Sequence, residues 1–167
     1  MPQARLTEDQ LCEEFADKLV SSPTFNQWLL CRTKFKADLL DVRLMHEEQS
    51  ACRNAKRWWR HWWCAIPGLG ESETDIMAVY ERSDKTRFAL HIENKLAISR
   101  WSSKNQARAY RDRAEFMLRK PRFMNCTDFA TLIIAPTFFL TKWRAEVRKF
   151  DAAVSHESIA EFVPAFA

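Results

Sequence analysis

Glycine is nearly missing: the chain has two, and both fall in Pro67-Gly68-Leu69-Gly70. Backbone freedom of the kind only glycine supplies is therefore concentrated in that one turn, which is expected at or beside a site. Cysteine is sparse and odd in number. Cys12, Cys31, Cys52, Cys64 and Cys126 lie far apart with no CxxC pair, which excludes a disulfide framework and a structural zinc site and leaves reduced, buried thiols. The four histidines, His46, His61, His91 and His156, lack the paired spacing of a metal site or a triad, so a histidine-based hydrolase is not supported. No apolar run approaches the roughly eighteen residues that span a bilayer, and the polar, acidic start does not resemble a signal peptide. The expectation is a cytoplasmic protein with no membrane partner. Repeats, linkers and low-complexity tracts are absent as well.

What is present suits one globular domain. The 167 residues are 47% apolar and 13% aromatic, enough chain to bury roughly two-thirds of its unfolded surface. A net charge of +4 is compatible with a polyanionic partner but does not indicate one, because many proteins without a nucleic-acid role carry as much.

Thr7 followed by Gln10 reads as a capping box opening a helix through about Val20, with Leu11, Cys12, Phe15 and Leu19 on one side and Glu13, Glu14 and Asp17 on the other. Ser22-Pro23 opens a second helix with Phe25, Trp28 and Leu29 inward. Residues 34–41 are ambiguous. A third helix is expected from about His46 to Trp63, since Ala51, Cys52, Ala55, Trp58, Trp59, Trp62 and Trp63 project into an arc of about 140°. Lys56, Arg57, Arg60 and His61 project opposite, as a solvated face, with Arg57, Arg60 and His61 as an alternative phosphate-tracking stripe. The tryptophans are core or a base-stacking surface. Glu48 projects near the middle of the apolar arc, where a buried carboxylate needs a metal or a lysine, unless the helix starts after it.

Thr74–Glu81 and Arg87–Glu93 are β-favouring runs joined by the polar Ser83-Asp-Lys-Thr86, which predicts an antiparallel hairpin. Ser103 to Gln106 is a second capping box, opening a helix to about Arg119 before Pro121. Phe129–Ala135 reads as a strand buried on both faces, Thr141–Phe150 as a helix, Ala152–Ser155 as a short edge strand and the residues from Glu157 as a last helical turn. The hairpin brings Asp75 and Glu93 to one end of the sheet, and Lys95 shares a strand face with Glu93. Two carboxylates beside a lysine are suited to a magnesium ion and a phosphodiester: hard oxygen ligands for the metal, a cation for the phosphoryl charge. Singly, each residue has a structural explanation, as turn residue, salt bridge, cap or core.

Asp75, then Ile92-Glu93-Asn94-Lys95, then Gln106-Ala-Arg-Ala-Tyr110 on the following helix resembles the PD-(D/E)XK nuclease superfamily, in the branch with a QxxxY helix after the ExK strand. The resemblance covers about residues 48–135, and departs from the name in having Thr74 rather than Pro before the acid. It implies an α/β fold with a restriction-endonuclease-like core, a mixed central sheet flanked by helices. The organisation it implies is a helical N-terminal portion over 1–45, a catalytic core over 46–136 and a C-terminal helix and short strand over 137–167. It implies DNA cleavage with Mg2+, or Mn2+ as substitute, held by Asp75, Glu93 and the Asn94 carbonyl. Lys95 would orient or deprotonate the water and stabilise charge. Gln106 and Tyr110 would be auxiliary, and Glu48 would supply the acid that the superfamily often adds from a preceding helix. Basic residues around the QxxxY helix (Lys104, Arg108, Arg111, Arg113, Arg119, Lys120, Arg122) are candidate phosphate contacts. Expected partners are DNA and a second copy of the chain or a larger nuclease assembly. The alternative is a non-catalytic nucleic-acid- or protein-binding module on the same fold.

Overall fold

A computed structural model describes residues 6–101 and 105–167. Thr7 caps α1 (Glu8–Ser21) through the expected box, its hydroxyl accepting from the Gln10 amide while the Gln10 side chain accepts from the Thr7 amide at 2.9 Å. Ser22 caps α2 (Pro23–Leu30). A three-residue strand, β1 (Val42–Leu44), follows residues 34–41, which are turns, so the N-terminal portion is not helical throughout.

The third helix is much shorter than expected. α3 (His46–Arg53) ends where Asn54 enters the left-handed region at φ 49°, a conformation that releases its amide to the last carbonyls and stops the helix. Residues 54–63 form an irregular segment instead. Trp58, Trp59 and Trp62 are buried from that segment, and Trp63 is 39% exposed. Helical spacing of the tryptophans was thus a coincidence of which side chains the segment turns inward.

Two glycines turn a hairpin that the sequence did not reveal, β2 (Cys64–Ile66) with β3 (Gly70–Ser72). Gly68 and Gly70 have φ near +82° and +80° with open space around them, so their need is conformational. Both are exposed; a role in admitting metal or phosphate is not supported.

The main hairpin is β4 (Ile76–Arg82) and β5 (Arg87–Asn94), followed by α4 (Gln106–Met117) and β6 (Asp128–Ala135). The capping Ser103 lies outside the described residues. Two short helices, α5 (Thr137–Lys142) and α6 (Arg144–Val147), replace the single one expected over 141–150, with Trp143 between them at φ −107°. β7 (Ala152–Ser155) and α7 (His156–Ile159) complete the chain before a final 3-10 turn.

The five-stranded sheet runs β1-β4-β5-β6-β7, antiparallel up to β5 and parallel from β5 to β7. This is a mixed sheet flanked by helices, an α/β architecture. Alternation along β4 and β5 divides the core. Ile76, Ala78, Tyr80, Phe88, Leu90 and Ile92 meet α1, α2 and the C-terminal turn, whereas Met77, Val79 and Ala89 face the other way, with Met117 and Phe123. The β4 edge is closed piecewise beyond the short β1. Val79 O accepts from the Met45 amide, the fully buried Gln49 bridges Met77 O and the Val79 amide, and Trp59 O accepts from the Met77 amide. Ladder groups at that edge are thereby satisfied, as buried backbone requires.

Candidate active site

β4 and β5 pair up to Ile76–Ile92, and one step further Asp75 stands opposite Glu93. Opposed residues of an antiparallel pair point to the same face, so two carboxylates meet where the hairpin opens. Asp75 Oδ2 accepts from the Asn94 amide at 2.9 Å, while Oδ1 has no donor among the described residues. Glu93 is 1% exposed. Parallel pairing with β6 continues past the strand end, the Lys95 amide donating to Ile134 O at 2.9 Å. That keeps Lys95 extended and on the Glu93 face, where its ammonium is ion-paired to Glu93 Oε1 and lies 6.0 Å from the Trp101 ring centroid.

α4 contributes from one turn apart. Gln106 Nε2 donates to Glu93 Oε1 at 2.8 Å. Tyr110 Oη accepts from the Asp75 amide at 3.2 Å, and burial with the Asp75 and Glu93 charges raises its pKa. Residues i and i+4 share a helix face, so the QxxxY spacing presents both groups to the carboxylate pair.

Burial and the neighbouring Glu93 push the Asp75 carboxyl well above its usual range. Burial works against the Lys95 ammonium, but Glu93, Glu8 and Asp75 together hold its pKa above the ordinary lysine value. Burial likewise raises Glu8, which Lys95 partly offsets. Its carboxylate accepts from Ser99 Oγ at 3.3 Å. Three acids therefore share one directly paired cation among the described residues.

Glu8 is the residue sequence reasoning missed. At 100° per residue it lies within about 60° of Leu11, Cys12, Phe15 and Leu19, in the middle of the α1 apolar arc. An acid in a first turn has a local explanation in the helix dipole, which hides that signal. Asn94 secures the helix there: its amide nitrogen donates to Glu8 O and Cys12 Sγ, and its Oδ1 accepts from His156 Nε2 at 2.9 Å.

Glu48 does not join the site. It pairs with Arg43 at 2.7 Å beside Glu81, at the turn end of the hairpin, since Arg43 opposes Glu81. Seven strand residues at about 3.3 Å each separate that end from Asp75. The expected basic surface also changes. Arg113 is buried and donates to Ser72 Oγ, Arg111 pairs with Asp151, and Lys104 lies outside the described residues.

Magnesium is satisfied by one or two carboxylates plus water and phosphate oxygens. Among the described residues no three histidine, cysteine or acidic side chains form a ready-made cage, but Asp75 and Glu93 fit the smaller requirement. Burial first and the Glu93 charge second raise Asp75, and a divalent ion would offset both; its Oδ1 has no donor among the described residues. No helix among the described residues is long and apolar enough to cross a membrane. No family model, curated protein or solved structure matches the chain.

Proposed function

We propose that this chain is a metal-dependent nuclease that hydrolyses DNA phosphodiester bonds, with Asp75, Glu93 and Lys95 as its reacting groups. One observation carries the reading: the buried Glu93, ion-paired with Lys95, and the opposed, partly buried Asp75 meet at the open end of a hairpin. Asp75, Glu93 and the Asn94 carbonyl would hold Mg2+, with Mn2+ as substitute. When bound, such an ion supplies a nucleophilic water at neutral pH and offsets phosphoryl charge. Lys95 carries the positive charge that stabilises the phosphoryl oxygens as negative charge builds on them. Gln106 and Tyr110 fix the Glu93 carboxylate and the Asp75 backbone, and the Glu8 charge helps keep Lys95 protonated.

The test is cleavage of supercoiled plasmid and of single-stranded circles with Mg2+, Mn2+ or EDTA, run beside Asp75→Ala and Lys95→Ala. Cleavage by the wild type with metal alone, lost in both variants, is the expected result. A wild type that binds DNA and never cuts with any metal sinks the proposal. A second reading, a binding module or an assembly subunit on the same fold, draws on the ion pair that engages Lys95 with Glu93. Lys95 must leave Glu93 before it reaches phosphate, and the same series separates the two.

A further inference from the structure

The segment carrying the tryptophans runs beside the site: Trp59 O accepts from the Met77 amide, and His61 Nδ1 lies 3.0 Å from Glu73, two residues before Asp75. The cations first suspected of tracking phosphate are engaged there, Arg57 with Glu13, Arg60 with Asp9 and His61 with Glu73. Just past them lies a depression of about 320 Å3 lined by Arg53, His61, Trp62, Trp63 and Arg122, among others. Its two guanidiniums differ from the rest. Neither Arg53 nor Arg122 has a carboxylate within ion-pair distance among the described residues, and both bond only backbone oxygen, of Arg60 and Trp63 respectively. Arg53 also stacks 4.7 Å from the Trp62 ring centroid, and burial lowers its pKa. Trp63, which lines the same depression, leaves a large aromatic side chain 39% exposed.

We propose that this depression binds one unstacked nucleotide of single-stranded DNA, its base on Trp63 and its phosphates on Arg53 and Arg122. The two guanidiniums, without a carboxylate partner among the described residues, match phosphate, which they can hold through their remaining donors. An indole offers every base a stacking face regardless of sequence. The volume is near the lower end of ligand sites, roughly 300–1,000 Å3, so it takes one nucleotide unit rather than a helix. A duplex keeps its bases stacked and does not present one to the pocket. This assignment rests on the nuclease reading for its biological sense and names the form of DNA the protein holds.

Fluorescence anisotropy of a labelled ten-residue oligothymidylate, with a blunt duplex as comparison, tests it in EDTA, where no cleavage occurs. Trp63→Ala is expected to weaken oligothymidylate binding about 5- to 100-fold, with Trp63→Phe restoring most of it and duplex binding changing less than about twofold. Arg122→Gln, on an exposed side chain, should lower the slope of log affinity against log salt by about 0.7, the value for one phosphate on a single strand. Arg53→Gln should do the same if its melting temperature stays near wild type. Unchanged oligothymidylate affinity in Trp63→Ala, or equal losses on both DNA forms, overturns the assignment. Because the assay needs no metal, a protein that binds this way and never cuts refutes the nuclease reading alone.

Discussion

The two ends of the β4–β5 hairpin treat buried carboxylates in opposite ways. At the turn end Glu81, nearly buried, is surrounded by Arg87 at 2.9 Å, Lys85 at 3.4 Å and Arg43 at 3.6 Å, with Arg82 held by Asp38 nearby. Its pKa is lowered, chiefly by the Arg87 hydrogen bonds. At the open end Asp75, Glu93 and Glu8 share Lys95, and Asp75 is raised. The first arrangement is what a fold does with an acid it needs only for structure. The second leaves negative charge uncompensated in a place of low polarity, which is costly unless a cation arrives.

The largest expected effect separates the ends by activity. With Mg2+, Asp75→Ala or Lys95→Ala should lower cleavage by a factor of about 10²–10³, the scale of losing one electrostatic stabiliser, while Glu81→Gln cuts within a few-fold of wild type. Initial rates on plasmid measure it. Comparable losses from Glu81→Gln would erase the functional distinction between the ends.

Acid sensitivity sharpens the contrast next. His156, bound to Asn94 at the site end, is pushed down by burial to about 4. Below its ordinary 6.5 the unfolded chain binds a proton that the native state refuses, so the stability it permits is full above pH 6.5 and lost as pH falls toward about 4. The slope is at most about 1.4 kcal/mol per pH unit, or about 2 kcal/mol by pH 5. Glu81, with its lowered pKa, stabilises above its ordinary 4.5 and loses that only as pH falls below it. In urea titrations with EDTA, His156→Gln, whose amide can still donate to Asn94, should gain on wild type between pH 6.5 and 5. Parallel wild-type and variant curves across that window would dismiss His156 as the cause.

The contrast between the ends was only half legible in the sequence. The open end could be read because its geometry is local: a four-residue turn fixes the register that opposes Asp75 to Glu93, and helical spacing aims Gln106 and Tyr110 together. The α/β class followed from the same runs, with β6 buried between two parallel neighbours. Glu48 was misassigned because its neighbours appeared to continue a helix that Asn54 stops. Glu48 still lies within α3, but it sits at the turn end of the hairpin, where Arg43 on the adjacent β1 takes its Oε1. That strand has three residues and too short a pattern to register. Gln49, beside Glu48, proved to be the buried polar residue, and only the unpaired edge of β4 explains it.

Stability without metal offers the smallest and most discriminating effect. Asp75→Asn keeps an oxygen for the Asn94 amide and removes a carboxylate that burial and the Glu93 charge disfavour, so it should stabilise the fold. Glu81→Gln removes the charge that Arg87 and Lys85 meet and should destabilise by about 1 kcal/mol, held to that size by the solvent exposure of its partners. At this chain length the Glu81→Gln loss corresponds to a melting shift of about 2–4 °C, and the Asp75→Asn shift should be opposite in sign. Adding Mg2+ should then raise the melting temperature of the wild type and leave Asp75→Asn where it was, because only a site that binds the ion when folded is stabilised by it. Melting curves in EDTA and in Mg2+ decide the matter: if Asp75→Asn melts lower than wild type without metal, the open end is a structural network like its counterpart, and the unneutralised charge is not held in wait for an ion.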